Sequence, residues 1–135
     1  MFDTKIAIIL LDELAVWQKL NVTAFLISGI IGKHPELIGE KYEDNSENVY
    51  LALNQQPTVI LEADSERLSK IQDRILGRSL TSALYIKDMF STYNDEDNRK
   101  SVANYDSSDL PIVGIGLIEE KKTVDKITKG AKLHP

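Results

Sequence analysis

Apolar runs and helical repeats alternate along the chain and predict four strands and four helices. Ile6 to Leu11 is unbroken aliphatic sequence, which is typical of a strand buried on both faces and indicates the central strand. In the next segment, Leu14 to Ile31, apolar residues recur at helical spacing without a proline. This spacing predicts a helix that ends near Gly29 or Gly32.

The rest of the chain continues the alternation. The remaining predicted strands share apolar and β-branched residues and are Thr58–Ala63, Leu80–Ile86 and Pro111–Ile118. Each remaining predicted helix follows a strand, and these helices run from an Asp64-Ser65 cap to Gly77, from Asn94 to about Tyr105, and from Val124 to Ile127. Between the first predicted helix and the second predicted strand, the segment Lys33 to Gln56 is polar and shows no regular hydrophobic pattern. Its five acids and two lysines give it a net charge of −3, so we predict a solvated loop with a short hairpin around Tyr42 and Val49–Leu51.

This alternation predicts one α/β domain over residues 1–135. A chain of 135 residues has enough interior for a single core, and no repeat or linker divides it. Strands that alternate with helices are typical of a sandwich in which helices cover both faces of one sheet.

The composition of the chain argues against several kinds of binding and catalytic site. Twenty-one acidic residues against sixteen basic ones give a formal charge of −5, which disfavours non-specific binding to nucleic-acid phosphates. The chain has no cysteine, so disulfides, thiolate metal sites and thiol redox chemistry are excluded. The two histidines, His34 and His134, each stand beside a proline in a predicted loop or tail. We therefore predict no metal site and no cofactor.

The sequence also predicts a cytoplasmic protein with no membrane partner. Its longest apolar run, Ile6 to Leu11, is far shorter than the roughly 20 residues that span a bilayer. The first five residues lack the basic region and small-residue cleavage site of a signal peptide.

Standard catalytic signatures are missing from the sequence. It contains neither a G-x-S-x-G elbow nor a P-loop. Gly114-Ile115-Gly116 lacks the third glycine of a dinucleotide fingerprint and lies inside a predicted strand. We expect close backbone packing to be the reason for both glycines.

Three polar residues fall just beyond predicted strand ends, where α/β sheets present their binding crevices. Lys19 lies in the helix after the first strand, and Asp88 and Thr92 follow the third strand. A carboxylate can accept a proton, a hydroxyl can align water, and a lysine can stabilise an oxyanion or hold a phosphate. The other interpretation is structural, with Lys19 on the surface, Asp88 in a turn and Thr92 as a local cap.

Three segments of the chain resemble a bacterial family known only as a domain of unknown function. They are Leu14–Phe25, His34–Gly39 and Val124–Pro135. That family is similar to the type 2 peptidyl-tRNA hydrolases of archaea and eukaryotes, which cleave the ester between a stalled peptide and tRNA. The resemblance implies a three-layer sandwich with a mixed, roughly four-stranded sheet. It also implies a homodimer and tRNA as a partner.

The hydrolase resemblance carries over to particular residues. Lys19 stands where the family has the lysine of G-K-x-A-A-Q-x-x-H-A, and Asp88 and Thr92 reproduce the spacing of D-A-G-R-T. Ile112–Leu117 is similar to V-L-G-I-G-P, and Val124–Thr128 to I-D-K-V-T-G. The resemblance therefore implies Lys19, Asp88 and Thr92 as catalytic residues.

The chain departs from the hydrolase pattern at several polar positions. Gln18 replaces a glycine, Thr23 replaces a glutamine, Leu26 replaces a histidine and Ser91 stands in the place of the arginine. These changes remove groups that would position substrate or water. A shared fold survives such changes better than an activity does.

Two functions therefore stay open at the level of sequence. The first is a non-catalytic module that binds a small ligand or a protein through the helix face around Trp17, Gln18, Asn21 and Thr23. The second is a metal-free ester hydrolase that acts on peptidyl-tRNA or a related acyl ester. Trp17 is either a packing anchor or a platform on which a ligand ring stacks.

Overall fold

The structure, a computed structural model, describes residues 2–135, and its elements alternate much as the sequence predicts. The predicted domain starts at Met1, which lies outside the described residues. In chain order the elements are β1 (Thr4–Leu11), α1 (Val16–Lys33), β2 (Tyr42–Glu43), β3 (Val49–Tyr50), β4 (Thr58–Ala63), α2 (Ser65–Gly77), β5 (Ala83–Ile86), α3 (Asp95–Ala103), β6 (Ile112–Glu120), α4 (Lys121–Ile127) and β7 (Lys132–Leu133).

One mixed sheet organises the molecule, with strand order β5-β6-β1-β4-β7. The central strand β1 runs parallel to β4 and antiparallel to β6. The prediction of roughly four strands missed β7, which makes the sheet five-stranded. β7 is too short to show a hydrophobic period, and it is defined by its pairing with β4, where Leu133 lies opposite Leu61 and Lys132 opposite Glu62.

The unbroken apolar run of β1 has two buried faces, as the sequence predicts. Ile6, Ile8 and Leu10 pack in a cluster with the buried residues of α1. The alternate residues Ala7 and Ile9 pack on the other side, in a cluster with the buried residues of α2 and α4. Successive side chains of a strand point to opposite faces, so one strand supplies both cores of an α/β sandwich.

The close approach of α1 to β6 explains the two glycines of that strand. A Cβ atom at Gly114 would lie 2.6 Å from Val22 Cγ1, and one at Gly116 would lie 3.2 Å from Leu26 Cβ. The prediction that backbone packing requires these glycines is confirmed.

Helix α1 ends one residue beyond Gly32, so the predicted end near Gly32 is confirmed, although neither Gly29 nor Gly32 caps the helix. A glycine ends a helix when it takes a left-handed conformation, and among the described glycines only Gly130, with φ 99°, has a positive φ. The helix instead ends at Lys33, where the main-chain N–H of His34 donates to Ile30 O and Ile31 O. No helix within residues 2–135, α1 included, is long and apolar enough to cross a bilayer.

Two other local predictions are confirmed. Asp64 caps α2, since its Oδ1 accepts the main-chain N–H of Arg67 at 2.8 Å. The predicted hairpin is the pairing of β2 with β3, with Tyr42 opposite Tyr50.

Several element boundaries differ from the prediction. Strand β5 starts at Ala83 rather than Leu80, because the N–H of Leu80 donates to Ile75 O and folds the chain back onto the end of α2. Ser79 makes this turn with a φ of 56°. At the other end of the chain, α4 begins at Lys121, immediately after β6.

Candidate functional site

The candidate sites lie on the two flanks of α1. This helix begins five residues after the carboxyl end of β1, at the sheet edge where β4 and β5 also end. Since a helix advances about 100° per residue, positions 16, 20 and 23 share one flank and positions 17, 21 and 25 share another. Each flank borders a cavity.

The first cavity lies between α1 and the segment around β7, and we call it the α1–β7 groove. Its volume is about 400 Å³. The residues that line it are mostly apolar and are Leu10, Val16, Lys19, Leu20, Thr23, Ile60, His134 and Pro135.

Lys19 is the charged group of the α1–β7 groove. Its Nζ lies 3.2 Å from His134 Nε2 and 3.5 Å from Glu62 Oε2, and its side chain is only 15% exposed. The stem of a lysine packs well against apolar surface, and a largely buried ammonium needs such polar partners. The groove thus combines apolar walls with one polar cluster.

The imidazole of His134 is held by its neighbours on both sides. Its main-chain N–H donates to Ile60 O, which fixes the segment beside β4. Its Nδ1 lies 3.0 Å from Pro135 O, which can only accept a hydrogen bond. The tautomer that carries its proton on Nδ1 fits both contacts, because Nδ1–H then donates to Pro135 O and Nε2 accepts from Lys19.

Sequence reasoning missed Glu62 and His134 as members of this cluster. Glu62 did carry a signal, because it is the one charged residue in the apolar strand Thr58–Ala63. His134 follows β7 instead of lying in a free tail, and a two-residue strand gives no local pattern to reveal this. No group of three or more His, Asp or Glu side chains in residues 2–135 is arranged to hold a metal.

The second cavity lies between α1 and the segment from Tyr85 to Asn98, and its volume is about 380 Å³. We call it the aromatic cleft. It is lined by the rings Trp17, Phe25, Tyr85, Phe90 and Tyr93, by Met89, and by the polar residues Asn21, Thr92, Asn94, Asp95 and Asn98, which are its defining residues.

Four rings of the aromatic cleft form a continuous series. Trp17 meets Phe90 edge to face with ring centroids 6.1 Å apart, and Phe90 meets Tyr85 at 5.2 Å. The ring centroids of Phe25 and Tyr85 lie 5.6 Å apart. These separations are those of favourable aromatic pairs, so packing fixes the orientation of the rings.

The four residues predicted to bind a ligand have separate positions. Trp17 and Asn21 line the aromatic cleft, and Thr23 lines the α1–β7 groove, where its Oγ1 donates to Lys19 O at 2.8 Å. Gln18 has a structural role, since its Oε1 accepts the main-chain N–H of Ala15 at 3.0 Å and caps α1.

Two of the three residues predicted to be catalytic line different cavities. Lys19 lines the α1–β7 groove, and Thr92 lines the aromatic cleft, where its hydroxyl donates to Asn98 Oδ1. Asp88 lies in a 3-10 helix, Lys87–Ser91, that follows β5, and the Tyr105 hydroxyl donates to its two carboxylate oxygens at 2.9 and 3.1 Å. The hydrogen bond to Asp88 raises the pKa of Tyr105 above its ordinary value of 10.0.

Comparison with known proteins finds similarity to a solved structure and to a family profile. A solved structure of a protein of unknown function from Agrobacterium tumefaciens is 53% identical in sequence, with a TM-score of 0.98 over 100% of both chains. No curated protein matches the chain significantly. The family profile described as "Protein of unknown function (DUF2000)" matches residues 4–135. Because this match spans almost the whole sequence, the chain belongs to the DUF2000 family.

Proposed function

We propose that this protein is a non-catalytic binding module that holds a small amphipathic molecule in the α1–β7 groove. The ligand has an apolar body and an uncharged carbonyl as its polar head. The observation that carries this proposal is the position of Lys19, whose largely buried ammonium lies beside His134 in a mostly apolar groove.

The size and lining of the groove support small-molecule binding. Its volume of about 400 Å³ falls within the range of ligand pockets, and such pockets combine apolar walls with a few convergent polar groups. Val16 and Leu20 line it although they are 74% and 69% exposed. Covering these side chains with a ligand would remove apolar surface from water.

The polar cluster favours an uncharged acceptor. An ammonium has three N–H donors, and Lys19 directs two of them to Glu62 and His134. The third can donate to a ligand oxygen. Since the Glu62 carboxylate balances the lysine charge locally, a carboxylate on the ligand would gain little net attraction and would still lose its hydration, whereas a carbonyl loses less.

The other candidate residues favour binding over hydrolysis. Asp88 is engaged by Tyr105, and Thr92 is engaged by Asn98 in a different cavity from Lys19. A water-activating site needs its base and its oxyanion donor around one reacting atom. Lys19 and Thr92 line separate cavities, which does not favour that arrangement.

Binding of octanamide, which has an eight-carbon body and a neutral carbonyl, tests this function. Isothermal titration should show saturable binding to the wild-type protein and weaker binding of octanoate. The variant Lys19→Met keeps the apolar stem, and we expect it to bind octanamide about tenfold more weakly because one charge-assisted hydrogen bond is lost.

Lys70→Met is the matched control, since Lys70 is an exposed residue of α2 that pairs with Glu66. It should bind octanamide like the wild type. Absence of saturable binding, or equal affinity in Lys19→Met, would contradict the proposed function, provided that thermal melts show both variants to be folded.

A metal-free ester hydrolase with a type 2 peptidyl-tRNA hydrolase-like fold and a homodimeric assembly is the second candidate. It is supported by the match of Lys19, Asp88 and Thr92 to the motifs of those enzymes and by the mixed sheet with helices on both faces. Lys19 and Asp88 also follow β1 and β5, strands whose carboxyl ends lie at the same edge of the sheet.

Release of an N-blocked amino acid from charged tRNA tests the hydrolase directly. The binding module predicts no turnover at micromolar protein. Turnover by the wild-type protein that disappears in Asp88→Asn would establish the hydrolase instead. A measurement of mass in solution checks the homodimer separately.

A further inference from the structure

The aromatic cleft is a second cavity that the groove-binding function does not use. We propose that it binds a planar heteroaromatic base, of the kind found in nucleosides, in a form that carries no phosphate. This inference is independent of the α1–β7 groove, because the two cavities lie on different flanks of α1 and share no defining residue.

The rings of the cleft are suited to stacking on a flat ligand. The indole of Trp17 is held by Phe90, which in turn packs on Tyr85, and yet Trp17 stays 62% exposed. Tyr93 also lines the cleft and is 98% exposed. An oriented indole and a free phenol ring therefore offer π-faces to a ligand, and stacking on such faces is favourable for any base.

Amide side chains at the cleft can hydrogen-bond the edge of a stacked ring. Asn21 follows Trp17 by one helical turn, so the amide lies beside the indole on the same flank of α1. Asn98 uses its Oδ1 to accept from the Thr92 hydroxyl, which leaves its NH₂ group as a donor. Amides that offer donors and acceptors match the mixed edge of a heteroaromatic base.

The charges of the cleft select against phosphate. Among the described residues that line it there is no lysine or arginine, and the one ionised side chain is the carboxylate of Asp95. Asp95 pairs with Arg99 of the next turn, so the cleft keeps little net charge. The amino end of α3 borders the cleft, but Asn94 already accepts the main-chain N–H of Asp97 there, and the first turn carries the acids Asp95, Glu96 and Asp97. Since phosphate recognition relies on cationic groups or free helix termini, a nucleoside fits this environment better than a nucleotide does.

Adenosine titration monitored by the fluorescence of Trp17 tests the proposal. The chain has one tryptophan, so quenching reports on the cleft alone. We expect saturable quenching by adenosine below about 1 mM, and adenosine monophosphate should bind about fivefold more weakly. Tyr93→Ala should weaken adenosine binding about tenfold through lost stacking, and Asn21→Ala about fivefold through a lost hydrogen bond.

Matched controls are Tyr42→Ala, an exposed tyrosine in β2, and Asn104→Ala, an exposed amide at the end of α3. Both should leave adenosine affinity unchanged. Three results would each overturn the proposal. The first is that none of adenosine, guanosine, cytidine and uridine quenches the fluorescence saturably. The second is that Tyr93→Ala and Asn21→Ala bind adenosine as tightly as the wild type does. The third is saturation by tetramethylammonium alone, which would identify a cage for cations.

Discussion

Single residues set how closely the layers of the sandwich approach each other. Gly114 lies where the Val22 and Leu26 side chains of α1 touch the sheet, and a Cβ there would meet Leu26 Cδ1 at 3.0 Å and Val22 Cγ1 at 2.6 Å. Both side chains are buried, so neither can turn away into solvent. Added volume at this position must be absorbed by the packed core.

Gly114→Ala should therefore lower the free energy of unfolding by about 1–3 kcal/mol, the usual cost of overpacking. Urea denaturation measures the change. Gly32→Ala is the control, because a Cβ at Gly32 meets nothing within 4 Å and the residue lies inside α1. That variant should be more stable by about 0.5–1 kcal/mol. A Gly114→Ala protein as stable as the wild type would show that α1 can shift on the sheet.

One carboxylate organises the hairpin formed by β2 and β3. Asp44 accepts the main-chain N–H groups of Ser46 and Asn48 at 2.8 and 3.0 Å. It also accepts the Tyr50 hydroxyl at 2.7 Å. These hydrogen bonds, led by that of Tyr50, lower the pKa of Asp44 from 3.8 to about 2 and raise the pKa of Tyr50.

The hairpin should therefore loosen in acid. A folded-state pKa below the ordinary value means that Asp44 stabilises the hairpin above about pH 4 and loses this effect as the pH falls through about 2. Carboxyl-carbon NMR should give a midpoint of about 2 for Asp44. The midpoint should move towards 3.8 in Tyr50→Phe and stay in place in Tyr42→Phe. A wild-type midpoint at 3.8 would refute the network.

At the scale of elements, a single arginine connects the end of α2 to the end of α4. Arg74 Nη1 donates to Ile127 O at 2.9 Å and to Lys129 O at 2.8 Å. Carbonyl groups at a helix end lack partners within the helix, and a cation there also complements the helix dipole. This contact holds α4 beside α2 on one face of the sheet.

Arg74→Met should cost about 1–3 kcal/mol in the free energy of unfolding, since charged hydrogen bonds are lost and two carbonyls lose a donor. Arg99→Met provides the comparison, because Arg99 makes an exposed ion pair with Asp95 within α3. Loss of such an exposed pair should lower the free energy of unfolding by less than about 1 kcal/mol. Equal effects of the two substitutions in urea denaturation would argue against the role of Arg74.

Elements with a strong local pattern were predictable from sequence. The apolar run of β1 indicates burial on both faces, and Asp64 ahead of an amphipathic repeat indicates the start of α2. Both signals come from neighbouring residues. Strand β7 has no such signal, because its place depends on a partner strand about 70 residues earlier in the chain.

The candidate site was predictable only in part, for the same reason. The sequence singled out Lys19, but its partners Glu62 and His134 are 43 and 115 residues away and come from β4 and the segment after β7. The sequence grouped Lys19 with Asp88 and Thr92, because all three fall just beyond predicted strand ends. The side-chain partners of a polar residue depend on the sheet order, which no local pattern specifies.

At the scale of the whole molecule, charge separates the two candidate functions. The chain carries a formal charge of −5, but residues 119–135 hold five lysines and three acids, or +2. This basic stretch includes α4 and β7. An enzyme that acts on tRNA needs a basic surface to contact phosphates, and this stretch is the part of the chain that could supply it.

Salt titration of tRNA binding measures the phosphate contacts. Each phosphate neutralised on a duplex changes the slope of log K against log salt by about −0.9, so several contacts give a steep fall in affinity. For the binding module we expect weak tRNA binding with a slope near zero, because the overall negative charge repels the backbone. Fluorescence anisotropy with labelled tRNA provides the affinities.

The charge reversal Lys121→Glu with Lys122→Glu on α4 should change this weak tRNA affinity little, as should Arg99→Glu on α3. A steep slope that the α4 reversal reduces and the α3 reversal does not would contradict this expectation and favour the hydrolase, because only contacts made through the basic stretch depend on those two lysines.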